Sequence, residues 1–299
     1  MLASLVGWFD SAAAPLHAGR QVDWLRIIPF LGLHLACLGV IWVGVSPVAL
    51  VIAAISYLLR MFAITGFYHR YFAHRAFKTS RAVQLLFALI GATATQRGPL
   101  WWASHHRNHH RFADLAGDPH RPEDGLVWSH VGWFLSGSHF RTERSRVPDW
   151  VRFPELLWLD RFDLVVPVAY GALLYGLGAA LAAWAPALGT NGLQVLVWGY
   201  VVSTVVLLHA TLLVNSLAHR MGKRAFATRD NSRNNLFVAL LTLGEGWHNN
   251  HHRYAGSARQ GFYWWQVDVC YYLLKALAAV GLIWDLKPVP RSILLEGRT

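Results

Sequence analysis

The chain has 299 residues, of which 55% are apolar and only 14% charged. A water-facing surface needs roughly twice that share of charge, so the composition rules out disorder, argues against an ordinary soluble globule and predicts an integral membrane protein. The net charge of +11 comes from 27 Lys and Arg against 16 Asp and Glu; it fits membrane lipid headgroups or an acidic partner, and no motif for nucleic acid is present.

In chain order, residues 1–26 form an N-terminal segment whose first cation is Arg20, too late for a cleaved secretory signal, so the segment is expected to stay. From Ile27 to His69 the only charge is Arg60, and Ser46-Pro47 divides the run into spans over 27–45 and 48–68. Ala82 to Gln96 is apolar but too short to cross, which places it at the interface or inside the protein. Leu164 to His219 is 56 residues without an Asp, Glu, Lys or Arg. One crossing takes about 20 residues, so this run crosses twice, over 164–185 and 193–214, turning near Pro186 to Gly192. Asn234 to Gly244 is again too short. Phe262 to Trp284 is long enough but carries Asp268 and Lys275, and reads as an amphipathic surface helix. Residues 289–299 form a tail after one membrane domain, 27–288. Cys37 and Cys270 lie in apolar segments and read as inert thiols.

The expected fold is therefore all-α, with four transmembrane helices and a helical cap. Both hairpin tips lack Lys and Arg, so the positive-inside rule makes the cap and both termini cytoplasmic. Fifteen Trp and ten Tyr suit the membrane interface, where an amphipathic ring sits half in lipid.

Ten of the sixteen His stand in four tight groups, all on that cytoplasmic face. His69 and His74 flank Arg-Tyr-Phe-Ala at the exit of span two; five residues turn about 140° on a regular helix, so both rings meet only if the helix bends or ends between them. His105-His106-Arg-Asn-His109-His110 puts 106, 109 and 110 on one helical stripe. Asn215 and His219 form an i, i+4 pair closing span four. Gly244-Glu-Gly-Trp-His248-Asn-Asn-His251-His252 repeats the HxxHH spacing. Imidazole is a common transition-metal ligand, and so many rings exceed one metal's capacity, which points to a binuclear site. No HExxH for zinc proteolysis is present, and a bis-His haem leaves most rings unexplained. His17, His34, His130, His139 and His209 stand apart and read as structural or interfacial.

HRYFAH, HRNHH and HNNHH resemble the three histidine boxes of the membrane fatty-acid desaturases. Gly117-Asp118-Pro119-His120, His130-Val-Gly-Trp133, Asn215-Ser-Leu-Ala-His219 and Gly261-Phe-Tyr-Trp-Trp-Gln-Val-Asp268 are similar, in order, to the stearoyl-CoA (Δ9) branch. The resemblance implies a di-iron centre. His69, His74, His110 and His251, with Asn215 through water, would hold one iron; His106, His109, His219, His248 and His252 would hold the other. His105 lies outside the box spacing and reads as a bystander or a support. Asp118 and Glu245 are candidates to orient ring N–H groups, or are an ordinary cap and surface pair.

The implied reaction is O2-dependent desaturation of a sixteen- or eighteen-carbon acyl chain, with Fe2+/Fe3+ as the oxidant's carrier. Nothing in the chain looks like a haem, flavin or iron–sulfur module, so electrons are expected from a separate protein of cytochrome b5, ferredoxin or rubredoxin type. A hydroxylase on the same scaffold, or a non-catalytic membrane metal or haem protein, remains the alternative. Animal acyl-CoA members carry an Arg-Asp pair before the second box and a basic pair after HVGW; here Ser104-His105 and Gly137-Ser138 stand there. Arg141, Arg144 and Arg146 could replace those contacts to CoA phosphates or be plain solvated charges, so acyl-CoA is favoured with lipid-bound or carrier-protein-bound chains open. Stepping back from His69, Thr65, Met61 and Tyr57 face the metals; Met61 and Tyr57 either floor a tunnel for the methyl end or pack against a neighbouring span. Arg60 is expected to snorkel or pair inside the bundle.

Overall fold

The computed structural model describes residues 9–13, 19–24 and 26–297; His17 and most of the N-terminal segment lie outside them. Three described helices are long and apolar enough to cross a membrane: α2 (Pro47–Ala73), α6 (Val165–Trp184) and α7 (Gly192–Ser216). The expected first span is shorter. Helix α1 (Ile28–Val43) is interrupted by a tight turn at Cys37–Gly39 and falls below the roughly 20 residues of a full crossing. None of its residues is buried, and Ile41 and Trp42 are 71% and 78% exposed.

Helix α2 starts where Ser46 accepts a hydrogen bond from the Ala49 N–H, with Pro47 in the first turn. It does not end between His69 and His74. From Ala63 to Ala73 it widens into a π-helix, whose i→i+5 bonds set residue i+5 nearly over residue i; the His74 N–H duly donates to the His69 carbonyl at 3.2 Å. Arg60 pairs inside the bundle, donating to the Ser56 and Thr93 carbonyls and to the Thr204 and Ser203 hydroxyls. Helices α6 and α7 form a close hairpin, because a Cβ on Gly178 would sit 2.5 Å from the Asn191 carbonyl oxygen.

The other main described helices are α3 (Arg81–Ala92), α4 (Pro99–Phe112), α5 (Pro154–Arg161), α8 (Leu236–Leu241), α9 (His248–Arg253), α10 (Val269–Ala279) and α11 (Arg291–Glu296). The stretch Ala82 to Gln96 packs inside on its Phe87, Ala88 and Gly91 face while Leu86 points outward. Phe262 to Trp284 is not one surface helix. Asp268 caps α10 by accepting from the Tyr271 N–H, and beyond the left-handed Gly281 the chain becomes strand β2 (Ile283–Trp284), antiparallel to β1 (Lys78–Thr79) with Lys78 opposite Trp284. The main core gathers around the π-helical end of α2, where Phe67 and Phe87 stack with centroids 3.8 Å apart.

Candidate metal centre

Nine histidines converge in two adjoining groups. In the first, ring Nε2 atoms face one another along the series His69, His251, His110, His106 and His74, at 3.0, 2.9, 3.1 and 2.8 Å. The second holds His109, His219, His248 and His252, with Nε2 separations of 3.3 Å for His109 to His252 and 3.0 Å for His219 to His248. His110 and His252 join the groups at 4.6 Å between ring centroids. The expected division gave His106 to the second group. Its ring instead points at His74 and His110, because 106 and 110 are one helical turn apart and share the stripe facing α2.

Residues between the ligating positions hold the boxes in place. In HRNHH, Arg107 grips Asp149 with two bonds of 2.8 Å and reaches the Phe72 and Ala73 carbonyls, tying α4 to the end of α2. In HNNHH, Asn249 accepts from the Ala225 and Phe226 N–H groups, and Asn250 donates to the Gln260 carbonyl and Gln266. Glu245 is brought in by a close approach: a Cβ on Gly246 would lie 2.1 Å from the Ala239 nitrogen, and Gly244 has φ +132° with Asp268 2.5 Å from where its Cβ would stand.

Each group is backed by carboxylates on the outward Nδ1 atoms. Glu245 contacts His69, Asp118 contacts His109 at 2.9 Å, Asp114 contacts His219 at 2.9 Å and Asp230 contacts His252 at 2.8 Å. Asp114 holds its place at a left-handed φ of 62°, backbone strain of the kind functional sites retain. Asp118 and Glu245 are where sequence reasoning placed them. Asp114, Asp230 and Asp268 were missed, as was Arg70, which is fully buried and binds Glu245 at 3.0 Å and Asp268 at 2.9 Å. Burial, with the neighbouring rings, pushes His106, His110, His248, His251 and His252 well below the ordinary imidazole range, which keeps them neutral and able to donate lone pairs.

The donor set asks for a cation. His109 and His252 both present Nδ1 to a carboxylate, so two neutral rings would oppose their Nε2 lone pairs across 3.3 Å; a proton or a metal must lie between them. Burial works to lower His109, and Asp118, Asp114 and Asp230 outweigh it to raise it. Nitrogen-rich groups with carboxylates behind them suit a transition metal.

An apolar cavity of about 260 Å³ runs to the first group. Its lining includes Arg26 and Arg97 as well as Trp102, His106 and Asn215, and α1 supplies part of the wall. A second space of about 30 Å³, lined by Met61, Thr65 and His69, shares Trp102, His106, Thr211 and Asn215 with it. At the junction Gln96 donates to Thr211 at 3.0 Å and accepts from the Trp102 indole at 3.3 Å. Tyr57 lines neither space; its hydroxyl donates to the Leu241 carbonyl at 2.7 Å. Arg141 and Arg144 are exposed and, with Arg146, line none of the described cavities. His105 is buried against Trp101 and the Arg141 carbonyl, away from both groups, and His34, His209 and His130 make a separate hydrogen-bonded row.

A family profile described as fatty acid desaturase matches residues 41–284. Among curated proteins, an acyl-CoA 5-desaturase of Anemone leveillei is 38% identical, over 95% of this chain and 88% of its own length. Delta-9 acyl-lipid desaturase 1 of Arabidopsis thaliana is 36% identical over 90% of this chain and 84% of its own. The sn-1 stearoyl-lipid 9-desaturase of Anabaena variabilis is 35% identical over 89% and 94% respectively.

Proposed function

This chain belongs to the fatty acid desaturase family, and we propose that it is an O2-dependent acyl desaturase placing a cis double bond, at Δ9, in a saturated sixteen- or eighteen-carbon chain. The observation carrying this reading is the meeting of an apolar cavity with a buried histidine group at Trp102, His106, Thr211 and Asn215. One O2, two electrons from a donor protein and two protons are consumed; two hydrogens leave adjacent carbons, and two waters are released. Two irons would supply the O2 activation that no side chain provides. His69, His74, His106, His110 and His251 would hold one, with Asn215 beside them, and His109, His219, His248 and His252 the other.

The protein's own part is placement. The carboxyl half of the chain lies along the larger cavity, and the hydrogen-bonded bar of Trp102, Gln96 and Thr211 forces a bend where the methylenes pass His106. A bent chain presents its two adjacent carbons in the geometry that becomes cis. The methyl end enters the smaller space over Thr65 and Met61. Tyr57 sits below as a support whose hydroxyl is already engaged. Burial of the rings, with His69 and His251 only 3% and 1% exposed, excludes bulk water from the oxidation.

We read α1 as the first of four passes, its apolar residues facing lipid, with both termini and the histidine cap cytoplasmic. Acyl-CoA is the primary substrate form, with CoA phosphates met by cations near Arg26 and Arg97. A lipid-bound chain is the second reading, favoured by the cavity wall contributed by α1 and by the position of Arg141 and Arg144 outside the cavity.

Expression in a host lacking its own desaturase, with mass spectrometry of derivatised lipids, tests the activity. A new Δ9 monoene is expected; a hydroxylated product reassigns the reaction, and no new product from iron-loaded protein supplied with electrons overturns it. Purified enzyme given stearoyl-CoA or phospholipid then separates the substrate forms. Met61→Ala is expected to shift the product profile toward longer chains without moving the double bond from the carboxyl end, whereas an unchanged profile places the floor elsewhere.

A further inference from the structure

The largest described recess belongs to neither acyl cavity. It is an open groove of about 620 Å³ between the β1–β2 ribbon and the segment around Trp150, and it shares no lining residue with the other two spaces. His74 and Tyr71 are among the residues that line it. The first histidine group thus lies between two recesses: the acyl cavity reaches it at His106, and the groove reaches it at His74.

The groove is basic and aromatic. Arg75, Lys78, Arg81, Arg152 and Lys287 line it with a single acid, Asp285. Lys78 pairs with Asp285 at 2.7 Å, Arg75 with Asp149 at 3.6 Å and Arg81 with Glu155 at 2.7 Å. Arg152 and Lys287 are exposed and have no carboxylate partner among the described residues. Trp150 packs against Tyr71 in a tilted arrangement at 5.1 Å between centroids, and its indole donates to the Phe72 carbonyl at 2.7 Å, so the wall is tied to the ligand-bearing end of α2.

We propose that this groove is where a small acidic one-electron carrier protein docks and reduces the metal centre through His74. The proposal rests on the desaturase reading, which requires two electrons from outside. Electron tunnelling weakens steeply with distance, so a donor must approach a ligand-bearing surface, and the acyl chain occupies the other approach. Surplus cations around an aromatic lining suit an acidic partner, steering encounter more than they add final affinity. The carrier gives one electron at each of two visits and leaves oxidised; with two protons and the two hydrogens of the substrate, these electrons complete the reduction of one O2 to two waters.

The test uses the full chain in lipid nanodiscs, with two probes: a plant-type [2Fe–2S] ferredoxin with its reductase, and the soluble haem domain of cytochrome b5 with its own. In the double variant Arg152→Glu/Lys287→Glu, kcat/KM for the carrier that supports turnover is expected to fall about tenfold or more at low salt, with kcat at saturating carrier near wild type. Binding of that carrier to the metal-free protein should weaken in parallel, and the difference should shrink at about 0.5 M salt. Dithionite-reduced variant and wild type should form equal product in a single turnover. No product from dithionite-reduced wild type strikes the desaturase reading itself. Product there, with carrier binding unchanged in the variant, or with neither carrier bound, overturns the groove; so does a variant that loses only binding to anionic vesicles.

Discussion

Replacing His106 or His251 with alanine is expected to abolish product and strip the centre of metal while the protein still inserts. Purified wild type should hold about two irons per chain. Removing a group that merely orients a ligand costs about 10- to 100-fold in affinity or activity, and these rings lie closer in. His106 faces His74 and His110, and His251 faces His69 and His110, so either substitution opens the middle of the five-ring series. Iron content by elemental analysis and product by gas chromatography check it; a variant with full iron and normal turnover would remove that ring from the site.

Arg70→Met is expected to be the most destabilising single change around the histidine groups. The guanidinium is fully buried between Glu245 and Asp268 and also donates to the Ala258 carbonyl at 2.8 Å. Removing it leaves two carboxylates without their counter-charge, and breaking a buried pair in this way costs about 3–5 kcal/mol, against a net stability of roughly 5–15 kcal/mol for a folded domain. Thermal unfolding in detergent should show a large drop in midpoint, accompanied by loss of metal because Glu245 also contacts His69. Combining Arg70→Met with Asp268→Leu should cost less than the two changes summed, since the second removes the charge stranded by the first. Additive losses would mean that Arg70 and Asp268 act independently.

Much of the centre was legible because its chemistry is written at short spacing: HRNHH and HNNHH put their rings on one stripe of a helix whatever surrounds it. Two of the backing carboxylates, Asp118 and Glu245, were legible beside the boxes, whereas Asp114, Asp230 and the supporting Asp268 were not. Arg70 and Asp268 stand 198 positions apart, and Asp230 reaches His252 across 22, so no local pattern announces either pairing. The grouping of His106 was not legible for a related reason, since a stripe fixes which rings share a face but not which of two neighbouring groups each ring faces. Counting charges located the apolar runs correctly but could not show the tight turn at Cys37–Gly39 inside the first of them. The reading of Phe262 to Trp284 missed a strand that exists only by pairing with Lys78 and Thr79.

The π-helical end of α2 makes this protein intolerant of changes in length where it tolerates changes in side chain. Each residue advances the chain by a sizeable part of a turn, about 100° in an α-helix and less in this wider one, so deleting one position other than His69 between Gly66 and Phe72 would rotate everything beyond it relative to α4 and α9. His69 and His74 would keep their identities and lose their common target. Random libraries across this stretch should therefore return substitutions and almost no survivors with a codon gained or lost, and grafting the box into another helix must carry the whole widened turn with it.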